Sequence, residues 1–210
     1  YMIDTAGLRR KARVHENIEF YSTLRSIKAI EECDVAILLI DATLGLEAQD
    51  LHILGDITEN SKGVVIFVNK WDLVEKETNT ARDFEALIQE RIAPLSNVPV
   101  IFGSALEKQR ILRALELAVE VYHEKQKKVG TAELNEVMQL AWNNHKPAAV
   151  RGKIIRIKYV TQIPAPIPTF LFFCNHPKLI QENYKRYLEN QIRDNFGFKG
   201  VPLNVFFRQK

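Results

Sequence analysis

Three short polar clusters in this sequence carry residue types suited to chemistry: Asp4-Thr5-Ala6-Gly7, Asn69-Lys70-Trp71-Asp72 and Ser104-Ala105-Leu106. Each follows directly on an apolar run. Val64-Val65-Ile66-Phe67-Val68 has the length and β-branched content of a fully buried strand, and in open α/β sheets ligands bind just past the carboxyl ends of strands. Asn69 and Asp72 fall at that edge. A carboxylate three residues beyond an amide can accept both the N1–H and the exocyclic N2–H of guanine, while the amide meets the O6/N7 side and the Lys70 stem covers the ring. Adenine would present an acceptor to an acceptor. A buried polar group left unpaired costs roughly 1–3 kcal/mol, so such a pair discriminates between bases.

The other two clusters are less specific. Asp4-Thr5-Ala6-Gly7 suits a loop that approaches a phosphate, with an acid for Mg²⁺ and a glycine with a free backbone N–H. D-x-x-G is also a common turn. At Ser104-Ala105-Leu106 a backbone N–H from Ala105 could reach the O6 of a bound guanine, yet serine and alanine before a helix also make an ordinary N-cap. The basic run Leu8-Arg9-Arg10-Lys11-Ala12-Arg13 has neither helical nor strand periodicity. It reads either as a solvated loop or as a partner-binding switch.

The elements that must position these clusters alternate. Helical spacing over 21–32 is followed by a strand at Val35–Ile40, a helix at Leu46–Glu59 and the strand Val64–Val68. A helix over Thr80–Ile92, a strand over Val98–Phe102 and a helix over Lys108–Glu124 complete the series. The last helix is expected to bury Ile111, Leu112, Leu115, Ala118, Val121 and Tyr122. Strands alternating with helices predict an α/β domain with a parallel sheet covered on both faces.

With 46% hydrophobic and 26% charged residues over 210 positions, the composition is that of a globular protein of one or two domains. No apolar run approaches the roughly 18 residues of a membrane span. Cys33 and Cys174 lie far apart and outside any C-x-x-C spacing, so free thiols in a reducing, cytoplasmic setting are expected. The five histidines have no metal-ligand spacing. Tyr1-Met2-Ile3 reads as the end of a strand, so the chain is expected to be a fragment.

Charge places a boundary. Residues 1–130 carry 17 Lys and Arg against 21 Asp and Glu, whereas residues 131–210 carry 12 against 5. The junction is Glu124-Lys125-Gln126-Lys127-Lys128-Val129-Gly130, where lysines suited to a helix C-terminus precede a glycine. Beyond it, Thr131 is a candidate N-cap for a helix with the stripe Leu134, Val137, Met138, Ala141 and Trp142. Lys153–Ile163 alternates, with Ile155, Ile157, Tyr159 and Ile163 on one face and Arg156, Lys158 and Gln162 on the other. A strand at Phe170–Cys174, a helix at Pro177–Phe196 and a strand at Leu203–Arg208 give the order α-β-β-α-β. Lys185, Arg186 and Arg193 lie off the apolar stripe of that second helix, and with Arg156 and Lys158 they form the expected RNA-binding surface. Gly197-Phe198-Lys199-Gly200 has the G-x-x-G spacing of a nucleic-acid clamp. Pro202 and a strand follow at once, so Gly197 is read as a helix C-cap.

The set of motifs D-x-x-G, N-K-x-D and S-A-x, in that order and each after a buried strand, resembles the third, fourth and fifth nucleotide-binding motifs of the translation-factor-like GTPases. The wording D-T-A-G-L-R-R-K-A-R-V-H-E-N-I-E, N-K-W-D-L-V-E-K and R-Y-L-E-N-Q-I-R-D-N-F-G-F-K-G is similar to the Der-like (EngA-like) family over the whole chain. That resemblance implies a P-loop NTPase-type domain over 1–130, lacking its first part, and a small α+β KH-like domain over 131–210. It implies a GTPase that assembles the large (50S) ribosomal subunit, with guanine nucleotide, Mg²⁺ and a possible monovalent cation as cofactors. Its implied partners are rRNA of that subunit and a G domain of the same protein.

The same resemblance assigns GTP contacts to Asp4, Thr5, Ala6, Gly7, Asn69, Lys70, Asp72, Ser104, Ala105 and Leu106, with Asp4 holding Mg²⁺ through water. No G-x-x-x-x-G-K-[ST] phosphate loop occurs in the 210 residues, so the chain alone is expected to be inactive. Leu8 stands where Ras-like enzymes place a water-orienting glutamine, which implies slow intrinsic turnover. The alternative reading is a non-catalytic RNA-binding or domain-docking module.

Overall fold

The computed structural model describes residues 1–3, 27–93, 95 and 97–209. The chain divides into two compact units, Tyr1–Tyr122 and His123–Lys210. In the first, residues 27–32 are helical. They are followed by β1 (Val35–Asp41), α1 (Ala48–Glu59), β2 (Gly63–Asn69), a 3₁₀ turn at Trp71–Leu73, α2 (Thr80–Arg91), β3 (Val100–Phe102) and α3 (Ile111–Gln126), whose last four residues fall past the Tyr122 boundary. The three strands form a parallel sheet in the order β1-β2-β3.

Strand β2 is central because both its faces are apolar. Val64, Ile66 and Val68 pack with Leu54 and Ile57 of α1 and Ile88 of α2 in one core. Val65 and Phe67, of opposite parity, are buried as well. On that second side a Cβ at Gly63 would lie 2.6 Å from Val121 Cγ1 of α3, so only glycine lets helix and strand approach this closely.

Helix α3 differs from its sequence reading. It starts at Ile111 rather than Lys108, because residues 104–109 close on themselves: Gln109 N–H donates to the Ser104 carbonyl at 2.8 Å. Its buried positions are Ala114 and Val121, with Leu117 and Ala118 half-buried between them. The helix is therefore rotated from the expected face. Leu112, expected inside, is 75% exposed.

The second unit contains α4 (Thr131–Asn144), β4 (Ile157–Ile163), β5 (Thr169–Cys174), a 3₁₀ turn at Pro177–Leu179, α5 (Glu182–Phe196) and β6 (Asn204–Gln209). The α-β-β-α-β order is as the sequence reads. Strands β4 and β5 pair antiparallel, β5 and β6 parallel. Leu134, Met138, Trp142, Leu188 and Ile192 of the helices pack on Phe170, Phe172, Val160 and Val205 of the sheet. Gly130, not Thr131, is the N-cap of α4.

Strand β4 starts later than expected because Val150 and Lys153 exchange backbone hydrogen bonds across a tight turn. Arg151 (φ 52°) and Gly152 (φ 73°) make its two left-handed corners. An irregularity between Ile157 and Tyr159 then changes the phase of the strand. Val160 is the fully buried residue, and Tyr159 stacks on Phe173 instead. Gln162, expected on a wet face, is half-buried. Its Oε1 accepts from Val129 N–H at 2.8 Å and its Nε2 donates to the Lys127 carbonyl at 2.9 Å. Asn135 plays the same part on Val160, accepting from its N–H at 2.9 Å and donating to its carbonyl at 2.7 Å.

Gly197 is the C-cap of α5, with φ 88° and its N–H on the Arg193 carbonyl at 2.8 Å. Behind this reversal Arg193 donates to the carbonyls of Phe198 and Val201, both at 3.0 Å, and to Glu189 at 3.2 Å. Its side chain is only 12% exposed. Arg193 therefore leaves the group of basic residues available to a partner. Replacing it with glutamine should lower unfolding stability by about 1–3 kcal/mol, since buried carbonyls lose their donors. Arg156→Gln, at an exposed position, should stay within about 0.5 kcal/mol. Urea unfolding of both variants measures the contrast.

Candidate functional site

The parallel ladder brings the carboxyl ends of three strands to one edge. Asp41 pairs with Asn69 at the end of β1–β2, and Val68 with Phe102 at the end of β2–β3. Two backbone hydrogen bonds continue the ladder past β3: Gly103 N–H to the Val68 carbonyl and Trp71 N–H to the Gly103 carbonyl, both 3.0 Å. A Cβ at Gly103 would sit 2.5 Å from the Gln109 carbonyl oxygen and 2.7 Å from the Phe67 ring. Glycine is thus required where the 104–109 loop meets the Asn69–Asp72 loop.

These two loops are joined by a side chain. Asn69 Oδ1 accepts the Ala105 backbone N–H at 2.8 Å. Ser104 is buried, and its Oγ accepts from Glu107 N–H at 3.1 Å. It braces the loop rather than capping a helix. Leu106, assigned to the same site from sequence, is 84% exposed.

Lys70 takes the left-handed conformation, φ 60° and ψ 30°. That corner turns the backbone sharply after β2, so that Trp71 drops into the core while Lys70 stays at the rim. The indole packs against Phe102 at 4.4 Å and Phe84 at 5.6 Å between ring centroids, anchoring the loop. Lys70 Nζ lies 2.5 Å from Asp41 Oδ2. Asp41 Oδ1 accepts from the Thr43 hydroxyl at 2.7 Å and from the Thr43 N–H at 3.0 Å. The hydrogen bond from Lys70, then those from Thr43, hold the Asp41 carboxyl down at about 2.

Asp72 behaves differently. Its Oδ1 is buried and has no hydrogen-bond partner among the described residues. Carboxylate oxygens in that situation are costly unless a ligand or water supplies donors. The residues present therefore fit a group that offers N–H donors at this point.

Sequence reasoning brought Asn69, Lys70, Asp72, Ser104 and Ala105 to one place and missed Asp41, one residue past the strand expected at Val35–Ile40. The available signal was positional: an acid closing β1 stands across from the Asn-Lys pair once the strands are in parallel register. Asp4, Thr5, Ala6 and Gly7 lie outside the described residues, as does the basic run 8–13. Among the described residues no group of three or more His, Cys, Asp or Glu side chains is placed to hold a metal ion. Among the described residues no helix is long and apolar enough to cross a membrane.

Of the basic residues singled out in the second unit, Arg156, Lys158 and Arg186 are exposed. Lys185 is partly covered and pairs with Glu182 at 3.3 Å. The Arg156 backbone is fixed by its N–H on Asn175 Oδ1 at 2.8 Å. Lys146, Arg151 and Lys153 are exposed on the loop before β4, a basic stretch the strand-based reading passed over.

Comparison with known proteins gives two family-model matches: the elongation factor Tu GTP binding domain over residues 19–139, and the KH-domain-like C-terminal domain of EngA bacterial GTPase enzymes over 128–208. Among curated proteins, GTPase Der of Flavobacterium psychrophilum is 52% identical over 209 residues. GTPase Der of Bacteroides fragilis is 50% identical over 212. Each match covers 100% of this chain and 48% of the relative, so the chain spans about half the length of the proteins it resembles. A solved structure of Aquifex aeolicus Era bound to GDP and AlF4⁻ is similar at a TM-score of 0.46 and 16% identity, covering 99% of this chain and 75% of that one.

The Asp41–Lys70 pair has a pH signature. Because the folded carboxyl titrates near 2, below its ordinary value of about 4, its contribution to stability is complete above about pH 4 and is lost as the pH falls towards 2. The Asp41→Asn variant should show a flatter loss of stability across that acid window. A carboxyl titration followed by NMR should find Asp41 near 2, and an ordinary value there would exclude the pair in solution.

Proposed function

The chain belongs to the family of elongation-factor-Tu-type GTP-binding domains, and from that premise we propose that its first unit binds a guanine base at the edge formed by Asn69, Lys70, Asp72 and Ala105. The observation that carries this reading is the buried Asp72 Oδ1, which no hydrogen-bond donor among the described residues reaches. Guanine offers N1–H and N2–H as a matched pair of donors to such a carboxylate. Asn69 faces the O6/N7 side, and the Ala105 N–H, now held by Asn69, would exchange that acceptor for O6. Asp41 fixes the Lys70 ammonium, which holds the Lys70 stem along the rim where the base plane would lie.

For the whole protein we propose GTP hydrolysis in the cytoplasm, coupled to assembly of the large ribosomal subunit. The hydrolysis part of this reading is supported by the curated relatives named GTPase Der. In this reading Asp4 orients water on Mg²⁺, with Thr5 and Ala6 shaping the loop and the Gly7 N–H meeting the γ-phosphate. Magnesium, when bound, neutralises charge on the β- and γ-phosphates, and a monovalent cation would assist where Leu8 offers no polar group. The domain reading, a G domain over 1–130 and a KH-like domain over 131–210, gives the second unit the task of reaching rRNA. Arg156, Lys158, Lys185 and Arg186 would contact phosphates with little sequence preference.

Two measurements test these proposals. Saturation-transfer NMR of the 210-residue chain with GMP and XMP should show a preference for GMP. Asp72→Asn should reverse it, because xanthine carries an acceptor where guanine has its amine. An unchanged preference would remove Asp72 from the site. For the RNA surface, filter binding to rRNA fragments should weaken with salt at a slope of about 0.7–0.9 per phosphate contact. Changing both Arg156 and Lys158 to Glu should flatten that slope by about two contacts. A salt-independent affinity would instead favour docking of the basic unit on an acidic G domain.

A further inference from the structure

The β4–β5–β6 sheet has one face packed on its helices and a second, chemically distinct face. In register across the strands, the second face presents the rows Tyr159, Phe173 and Arg208, and Thr161, Leu171 and Phe206. The intervening residues Val160, Phe170, Phe172 and Val205 are the buried ones, so alternation sends these rows outward. Phe206 is 52% exposed. The Tyr159 and Phe173 rings stack at 4.3 Å with their planes 14° apart.

Charge around this face is one-sided. All five acids of residues 131–210 lie on the helices: Glu133 and Glu136 on α4, and Glu182, Glu189 and Asp194 on α5. Residues 137–181 and 195–210 contain no Asp or Glu. The strands and the loop ahead of them instead carry exposed Arg151, Lys153, Arg156, Lys158 and Arg208.

We propose that this outer sheet face is a stacking platform for unpaired bases of single-stranded RNA. Phe206, Leu171 and the Tyr159–Phe173 pair receive the bases, while Arg156, Lys158 and Arg208 take the phosphates. The proposal rests on the RNA-binding reading above and adds the class of RNA. A surface that only reads phosphate has no use for an exposed Phe206 ring flanked by the half-buried Tyr159–Phe173 stack. A face free of carboxylates and ringed by basic residues suits a polyanion. A duplex keeps its bases in the stack, so only a single strand satisfies both the rings and the charge.

The test uses the full chain, a short unstructured RNA and a duplex of equal length, followed by fluorescence anisotropy over a salt series. Phe206→Ala should weaken the single strand about ten-fold, the loss of one stacked base, with the salt slope unchanged. Its effect on the duplex should be small, and Phe206→Trp should restore binding. Thermal melting of the variants verifies that the fold is kept. If Phe206→Ala leaves single-strand affinity intact while changing Arg156 and Lys158 to Glu still weakens both RNAs, the platform is wrong and the phosphate surface stands. Absence of binding to either RNA removes both. Self-association of the chain that Phe206→Ala abolishes, with RNA affinity unchanged, would assign the face to a protein contact.

Discussion

Strands β1, β2 and β3 end together because their parallel ladders are in register, and the candidate site exists only through that alignment. Asp41 lies opposite Asn69, which puts a carboxylate where it can hold the lysine that follows. Phe102 lies opposite Val68, which brings Gly103 to the next backbone and the Ala105 N–H onto Asn69. A slip of one residue would turn every side chain of β2 to the other face. Since both faces are buried by different helices, with Gly63 fitted to Val121 on one of them, slippage is opposed along the whole strand. The polar edge thus inherits its precision from an apolar core.

Much of this was legible in the sequence for a simple reason: β2 is so uniformly apolar that nothing but a doubly covered strand accommodates it, and the polar residues after it had one place to go. The Asn69–Asp72 geometry followed. Less legible were features set by partners remote in sequence. Asp41 acquires its role from Lys70 across the ladder. The rotation of α3 came from choosing between two overlapping apolar stripes, 111/112/115/118/121/122 and 114/117/118/121, which share Ala118 and Val121, and periodicity cannot say which one the small residue Gly63 invites into contact. In β4 a single irregularity moved the core position from Tyr159 to Val160, a change that alternation alone cannot foresee.

Charge was read well as a total and poorly residue by residue. The excess of 12 basic over 5 acidic residues in 131–210 marks this part as cationic, but the excess is not spread evenly. Arg193 is drawn inward by the carbonyls of Phe198 and Val201, which the reversal at Gly197 turns towards it. Burial pulls its guanidinium below the usual value while Glu189 opposes that shift, the balance expected of a charge held inside for structural reasons. Lys185 is partly neutralised by Glu182 on the preceding turn. Helix α5 therefore contributes less outward positive potential than its composition suggests.

What remains is concentrated on the other side of the unit's own architecture. The helices hold every carboxylate of residues 131–210, and the strands and loops hold basic residues without acids among them. A field built this way is directional: cationic on the sheet side and mixed on the helix side, where Glu182 and Glu189 pair with Lys185 and Arg193. Long-range attraction of a polyanion depends on such separation rather than on net charge alone, and it is screened over about 10 Å at moderate salt. In the proposed reading, phosphates drawn to this side would arrive beside the exposed ring of Phe206, so that electrostatic approach would set the rate of encounter and short-range stacking the choice of what stays bound.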